Sequence, residues 1–146
     1  MKVLFVNLVY GVGSTGKIIA DIADLLREGG SDVRILYGAG ADSSDADARK
    51  ISGRLEYYAH NALSRLTDHA GLYSRTATQK LIHEVKSFRP DLIHLHTLHG
   101  FYINYEMLFR FLKGSGIPVV WTLHDCWSFT GHCTHFSQIK CTQWQT

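Results

Sequence analysis

The sequence lacks a long apolar run, a basic tract and a regular set of cysteines, and each shortage removes a class of function. No uninterrupted apolar stretch approaches the roughly 20 residues that cross a bilayer, so a membrane-spanning segment is not expected. Met1–Val6 is apolar only briefly and runs into a glycine-rich turn rather than a small-residue cleavage site. It therefore reads as a first strand and not as a secretory signal, and the expected location is the cytoplasm. Lys and Arg number 15 against 13 Asp and Glu, a formal charge of +2, with no Lys/Arg stripe. That balance gives no electrostatic footprint for nucleic acid. Three cysteines, Cys126, Cys133 and Cys141, crowd the end of the chain. An odd, clustered set is not the framework of a secreted disulfide protein.

What is present is a globular composition, 45% hydrophobic over 146 residues, enough for one domain with a core. Apolar runs predict strands at Lys2–Asn7, Val33–Tyr37, Leu92–His96 and Val119–Leu123. Between them, 3.6-residue periodicity predicts helices. The first is Gly16–Glu28, capped by Ser14 or Thr15, with Ile18, Ile19, Ile22, Ala23, Leu25 and Leu26 on its apolar face. The second is Arg54–Asp68, with Leu55, Tyr58, Ala62, Leu63 and Leu66 in phase. The third is Ala77–Phe88, with Leu81, Ile82, Val85 and Phe88 in phase and Arg89-Pro90-Asp91 as its stop. The fourth is Tyr105–Lys113, with Leu108, Phe109 and Leu112 toward the sheet. Gly38–Asp47 is expected to be a mobile loop. Strands alternating with amphipathic helices imply an α/β fold: a doubly wound, mostly parallel sheet with helices on both faces. After Leu123 no periodic pattern continues, so the chain is expected to be a fragment, a truncated domain over residues 1–146.

Three polar clusters fall at strand ends, where open α/β sheets bind ligands. Gly11-Val12-Gly13-Ser14-Thr15-Gly16-Lys17 fits both a dinucleotide fingerprint and a phosphate loop. Ile18 stands where a phosphate loop needs Ser or Thr, and Tyr37-Gly38-Ala39 offers no acidic residue for a dinucleotide ribose. A glycine turn feeding a helix amino end remains, suited to an anion or sugar phosphate. The second cluster is His94-Leu95-His96-Thr97-Leu98-His99. His96, Thr97 and His99 are expected to contact ligand and His94 to hydrogen-bond structurally. The H-x-H-x-x-H spacing is also that of a metal site, though no supporting carboxylates lie nearby in sequence. The third cluster is His124-Asp125-Cys126-Trp127. Here Asp125 is expected to orient His124 and raise its pKa, while Cys126, Trp127 and Phe129 line a pocket wall. His132, Cys133, His135 and Cys141 suit half of a structural zinc site. A non-catalytic ligand- or zinc-binding α/β module therefore stands as an alternative to an enzyme.

In chain order these blocks resemble the amino-terminal half of a family 4 (group 1) glycosyltransferase of the GT-B fold. The resemblance rests on Val6-Asn7 through Lys17, on Pro90–His96 with Leu98-His99-Gly100, and on Ile117–Trp127 through Phe129–Cys133. The last block is similar to the bacterial polysaccharide branch that includes colanic-acid-like enzymes. The resemblance implies two Rossmann-like domains facing across a cleft, the amino-terminal one on the acceptor side. The carboxyl-terminal, nucleotide-sugar domain is absent from this sequence. It further implies retaining transfer from a nucleotide-sugar donor to a saccharide or lipid-linked acceptor, with no metal cofactor at the reaction centre. Peripheral contact with the inner membrane face is compatible with it. His124 matches the histidine that contacts the donor sugar, positioning rather than acting as a base. Gly13, Ser14, Thr15, Gly16 and Lys17 match the loop near the donor diphosphate and acceptor. In that branch the Cys133–Cys141 region resembles a stretch with further cysteines, implying a zinc or disulfide cluster.

Overall fold

In the computed structural model, residues 1–130, 134, 135 and 142 are described. The chain runs β1 (Lys2–Asn7), α1 (Gly13–Glu28), β2 (Asp32–Tyr37), β3 (Ala48–Lys50), α2 (Arg54–Thr67), α3 (Arg75–Phe88), β4 (Leu92–Leu95), α4 (Tyr105–Ser115), β5 (Val119–Trp121) and α5 (Trp127–Thr130). The five strands form one sheet in the order β3-β2-β1-β4-β5. Every pairing is parallel, with Val6 opposite both Leu36 and Leu95, and Leu95 opposite Trp121. The doubly wound α/β fold expected from the sequence is the one observed.

Alternation along each strand divides the core between two faces. Leu4, Val6, Leu36, Ile93 and Leu95 pack with Ala77, Leu81 and Val85 of α3 and Leu108 and Leu112 of α4. Val3, Phe5, Val33 and Ile35 pack with Ile19 and Ala23 of α1. Strand residues are therefore apolar on both sides, as a sheet covered on both faces demands.

Several sequence expectations change. β3 was not expected: its Ala-Arg-Lys sequence carries no apolar run, and it forms because Ile51 N–H and Ile35 N–H find carbonyls across the β2 edge. The Gly38–Asp47 loop, expected to be mobile, is tied at Asp45. Its carboxylate accepts from Tyr10 Oη at 2.6 Å and pairs with Arg27 at 3.0 Å. Burial and that bond push the Tyr10 phenol up to about 12. α1 begins at Gly13 with Val12 before it and no side-chain cap, so Ser14 and Thr15 are first-turn residues. Ile18 and Leu25 of α1 are exposed, because only Ile19 and Ala23 face β1 and β2 squarely. Phe109 lies against Trp121 at 5.6 Å between ring centres yet remains exposed.

The largest departure is α2. Its in-phase residues point outward, with Leu55 87% and Leu66 82% exposed, while His60 and Ser64 are buried. His60 Nε2 accepts from Gly71 N–H at 3.2 Å, so its proton sits on Nδ1, 2.6 Å from Ser74 Oγ. Ser74 Oγ in turn donates to the Phe101 carbonyl at 3.0 Å. The helix is held by a satisfied polar chain rather than by its leucines. β5 is likewise less buried than its Val-Val-Trp sequence suggests: it is an edge strand, and Val120 is 46% exposed.

Two glycines separate steric from conformational constraint. A Cβ on Gly38 would fall 2.1 Å from Tyr102 Cγ, whereas one on Gly114, inside α4, meets nothing within 4 Å. Gly38→Ala is expected to lower stability by about 1–3 kcal/mol or more through overpacking. Gly114→Ala is expected to raise it by about 0.5 kcal/mol through reduced unfolded-state entropy. Chemical denaturation of both variants checks the contrast.

Candidate functional site

Because β1, β4 and β5 are parallel neighbours, the segments leaving them share one edge of the sheet. Asn7, at the end of β1, has no exposed surface. Its Nδ2 donates to the Val9 carbonyl at 2.7 Å and, more weakly, to Thr15 Oγ1 at 3.4 Å. Its Oδ1 accepts from Thr97 N–H at 3.0 Å. One side chain thus fastens the glycine turn to the segment after β4.

In the turn, Gly11 and Gly13 adopt φ of +70° and +65°, the left-handed region that glycine enters without strain. Gly16 has a different reason: a Cβ there would come within 3.2 Å of Val9 Cγ2 and 3.3 Å of Gly11 N. The turn brings backbone N–H groups of α1's uncapped first turn to the rim, with no acidic side chain among them. Such an end attracts an anion. Gly13, Ser14 and Lys17 are exposed, Thr15 is half-buried, and Lys17 makes no ion pair among the described residues.

The imidazoles pair differently from the sequence expectation. Asp125 does not orient His124; its Oδ2 lies 2.7 Å from His99 Nε2 and its Oδ1 accepts from Trp127 N–H at 2.9 Å. His124 pairs instead with His96, Nε2 to Nδ1, at 2.8 Å, with the rings stacked 5.1 Å apart. The reason is register. His96 and His124 follow the paired Leu95 and Trp121 of adjacent parallel strands by one and three residues, while Asp125 turns toward the His99 loop. His96, expected to touch ligand, is 2% exposed and reaches one only through His124. His94 plays the structural part expected of it, with Nε2 2.8 Å from Thr122 Oγ1.

Burial, reinforced by repulsion from His94 and His124, pushes His96 down to about 3. Burial also lowers His94, with a further contribution from His124, and lowers His60. No group of three or more His, Cys, Asp or Glu suited to a metal ion occurs among the described residues. The zinc expectation at His132, Cys133 and Cys141 lies outside the described residues; His135 is described and exposed.

Two hollows flank this rim. One, of about 390 Å³, is bordered by His99, Gly100, Phe101, Tyr105 and Trp127. Trp127 packs on Tyr105 and His99 with ring centres 4.9 and 5.6 Å apart. The other, of about 500 Å³, lies between the Gly38–Asp42 turn and α2 and is bordered by Lys50, Arg54, Tyr57 and Tyr58. Sequence reading missed this second hollow and the role of Asn7. Its walls come from a strand with no apolar signature and from the outward side of α2. A lone Asn after an apolar strand was the available signal for Asn7.

The chain is thus a parallel, doubly wound α/β domain that carries an uncapped helix amino end and paired imidazoles on its carboxyl edge, the edge where open sheets of this class bind ligands. Residues 15–144 match the family described as Glycosyltransferase Family 4, and the chain belongs to that family. It is 25% identical, over 158 residues, to the putative colanic acid biosynthesis glycosyl transferase WcaC of Escherichia coli strain K12. That alignment covers 100% of this chain and 38% of the relative, so the chain spans well under half the length of the protein it matches.

The buried imidazoles make stability depend on pH. His60, His94 and His96 bind protons less readily folded than unfolded. Their contribution is complete above the ordinary histidine value of about 6.5 and declines as pH falls below it. For His96 the decline continues toward about 3. Denaturation midpoints are expected to fall from pH 7.5 to 5, each group adding up to about 1.4 kcal/mol per pH unit. The His96→Asn variant is expected to show a shallower slope.

Proposed function

We propose that this chain forms the acceptor-side half of a GT-B glycosyltransferase, working with a nucleotide-sugar domain to move a sugar with retention of configuration. The acceptor is a saccharide or a lipid-linked saccharide. The observation that carries the reading is the juxtaposition, on one sheet edge, of α1's uncapped amino end and the His96–His124 pair. The first suits a diphosphate; the second offers a polar contact for the sugar attached to it. In this reading the acceptor oxygen bonds to the anomeric carbon as the bond from that carbon to the phosphate oxygen breaks. The acceptor proton passes to the departing phosphate on the same face. The protein's task is positioning and charge stabilisation, for which no metal is required. Gly13, Ser14, Thr15, Gly16 and Lys17 hold the diphosphate side, while Thr97, His99 and Trp127 border the sugar or acceptor.

Lys50, Arg54, Tyr57 and Tyr58 border a hollow suited to a phosphorylated or saccharide acceptor, and Arg54 and Tyr58 also belong to the outward side of α2. That side carries Leu55, Tyr58 and Leu66 beside Arg54 and Arg65, while Glu56 is turned inward to accept from Thr76 and Ala77 N–H. Apolar surface edged by arginine fits an anionic bilayer, so this reading has α2 resting on the inner face of the membrane in the cytoplasm. No helix among the described residues is long and apolar enough to cross a membrane.

In the natural protein, His124→Ala is expected to lower turnover by about 100-fold while the protein stays folded, with a small drop in thermal midpoint because the buried His96 Nδ1 loses its hydrogen-bond partner. Gly13→Val is expected to abolish binding of a nucleoside diphosphate followed by calorimetry. Undiminished turnover in the first variant would remove His124 from the site. For the membrane contact, Leu55→Ser with Leu66→Ser is expected to cut co-sedimentation with vesicles of phosphatidylglycerol and phosphatidylcholine several-fold. Equal sedimentation of the double variant would remove α2 from the contact.

A further inference from the structure

We infer that His96 is a positioning residue that fixes the tautomer of His124: His96 donates from Nδ1 to His124 Nε2, which leaves His124 protonated at Nδ1 and able only to donate to a ligand. The inference rests on the glycosyl-transfer reading for its effect on turnover, but its structural content is independent of any substrate.

The His96 ring is sealed from solvent. His96 is 2% exposed, packed between the rings of Phe5, His94 and His124. Among the described residues the polar groups on it are His124 at Nδ1 and Trp121 Nε1, which donates to the His96 carbonyl at 2.9 Å. Among the described residues the titratable groups facing it are His94 and His124, and no carboxylate bonds it, Asp125 being turned to His99. Burial beside two other imidazoles keeps it neutral, so it carries one N–H.

Two arrangements are then available. In one, His124 Nε2 donates to His96 Nδ1, and the His96 proton must sit on Nε2. That atom is buried and has no hydrogen-bond partner among the described residues. In the other, His96 Nδ1 donates, and the buried Nε2 is left with an unused lone pair. A buried N–H without an acceptor is much rarer in proteins than an unused acceptor lone pair. The second arrangement therefore prevails. With Nε2 of His124 occupied as an acceptor, a neutral His124 carries its own proton on Nδ1, which makes no hydrogen bond to the described residues. His124 then presents an N–H and no basic nitrogen, so it stabilises a ligand oxygen and cannot abstract a proton there. His96 touches no ligand; it sets what His124 is.

The test is a two-bond ¹⁵N–¹H correlation spectrum of the natural protein labelled with ¹⁵N-histidine, without substrate, at pH 8. His124 signals are assigned by their loss in His124→Asn. The expected result is a protonated, pyrrole-type Nδ1 and a pyridine-type Nε2 on His124. Asn places an amide donor close to where His Nδ1 lies, so His96→Asn keeps that pattern and holds kcat/KM within about threefold. His96→Leu shifts His124 toward the Nε2-protonated form and lowers kcat/KM at least tenfold. A wild-type His124 protonated at Nε2 overturns the inference whatever the kinetics. Were His96→Leu to unfold, the wild-type and His96→Asn spectra still decide. If the tautomer is as expected while His124→Ala leaves turnover intact, the glycosyl-transfer reading of the site fails and the tautomer assignment stands.

Discussion

The site depends on the hydrogen bonds of one buried amide. Asn7 closes β1 with no surface exposed, and its side chain has to find partners inside the protein. Those partners are Val9, Thr15 and Thr97, which belong to the glycine turn, the first turn of α1 and the segment leaving β4. Removing the amide would strand the Thr97 N–H and free the turn, at about 1–3 kcal/mol for an unsatisfied buried group. The geometry around His96 follows from this anchor. Thr97 is held to β1, His96 N–H bonds the Val6 carbonyl, and the His96 ring is thereby directed onto His124.

A second level of organisation comes from where the helical cover of the sheet stops. α1 packs on the β1–β2 part of one face through Ile19 and Ala23. In register across that face run Ile35, Phe5, His94 and Val120. The row passes from a fully buried Ile35 to a half-buried His94 and an exposed Val120. The histidines thus occupy the boundary between packed and open sheet. That position desolvates His96 while leaving His124 half-exposed, a division of environment that separates the role of one imidazole from that of the next.

How much of this was legible follows from what carries signal in a sequence. β1, β2 and the core of α3 were readable because Val, Ile and Leu repeat with the period of a doubly covered sheet or of a single helix face. The gathering of the three polar clusters on one edge followed from parallel topology. Pairing within the edge was not readable. His124 and Asp125 are neighbours in sequence but lie beyond the end of β5, and the course of the chain there sends one to His96 and the other to His99. β3 escaped because its register is set by backbone hydrogen bonds to β2, and Ala-Arg-Lys has no side-chain pattern to report that.

α2 shows the remaining limit. Periodicity finds the direction of a helix's apolar side, but it does not say that the core lies in that direction. Leu55 and Leu66 remain 87% and 82% exposed, so at about 25 cal/mol per Å² their burial contributes little. The helix is oriented instead by His60, whose two ring nitrogens bond the Gly71 amide and the Ser74 hydroxyl, and by Glu56, which caps α3. These bonds are directional and leave no polar atom of His60 unpaired, so reversing the helix would strand them while burying three leucines. A polar interior fixes the angle of α2, and with it the placement of Arg54 and Tyr58 at the mouth of the neighbouring hollow.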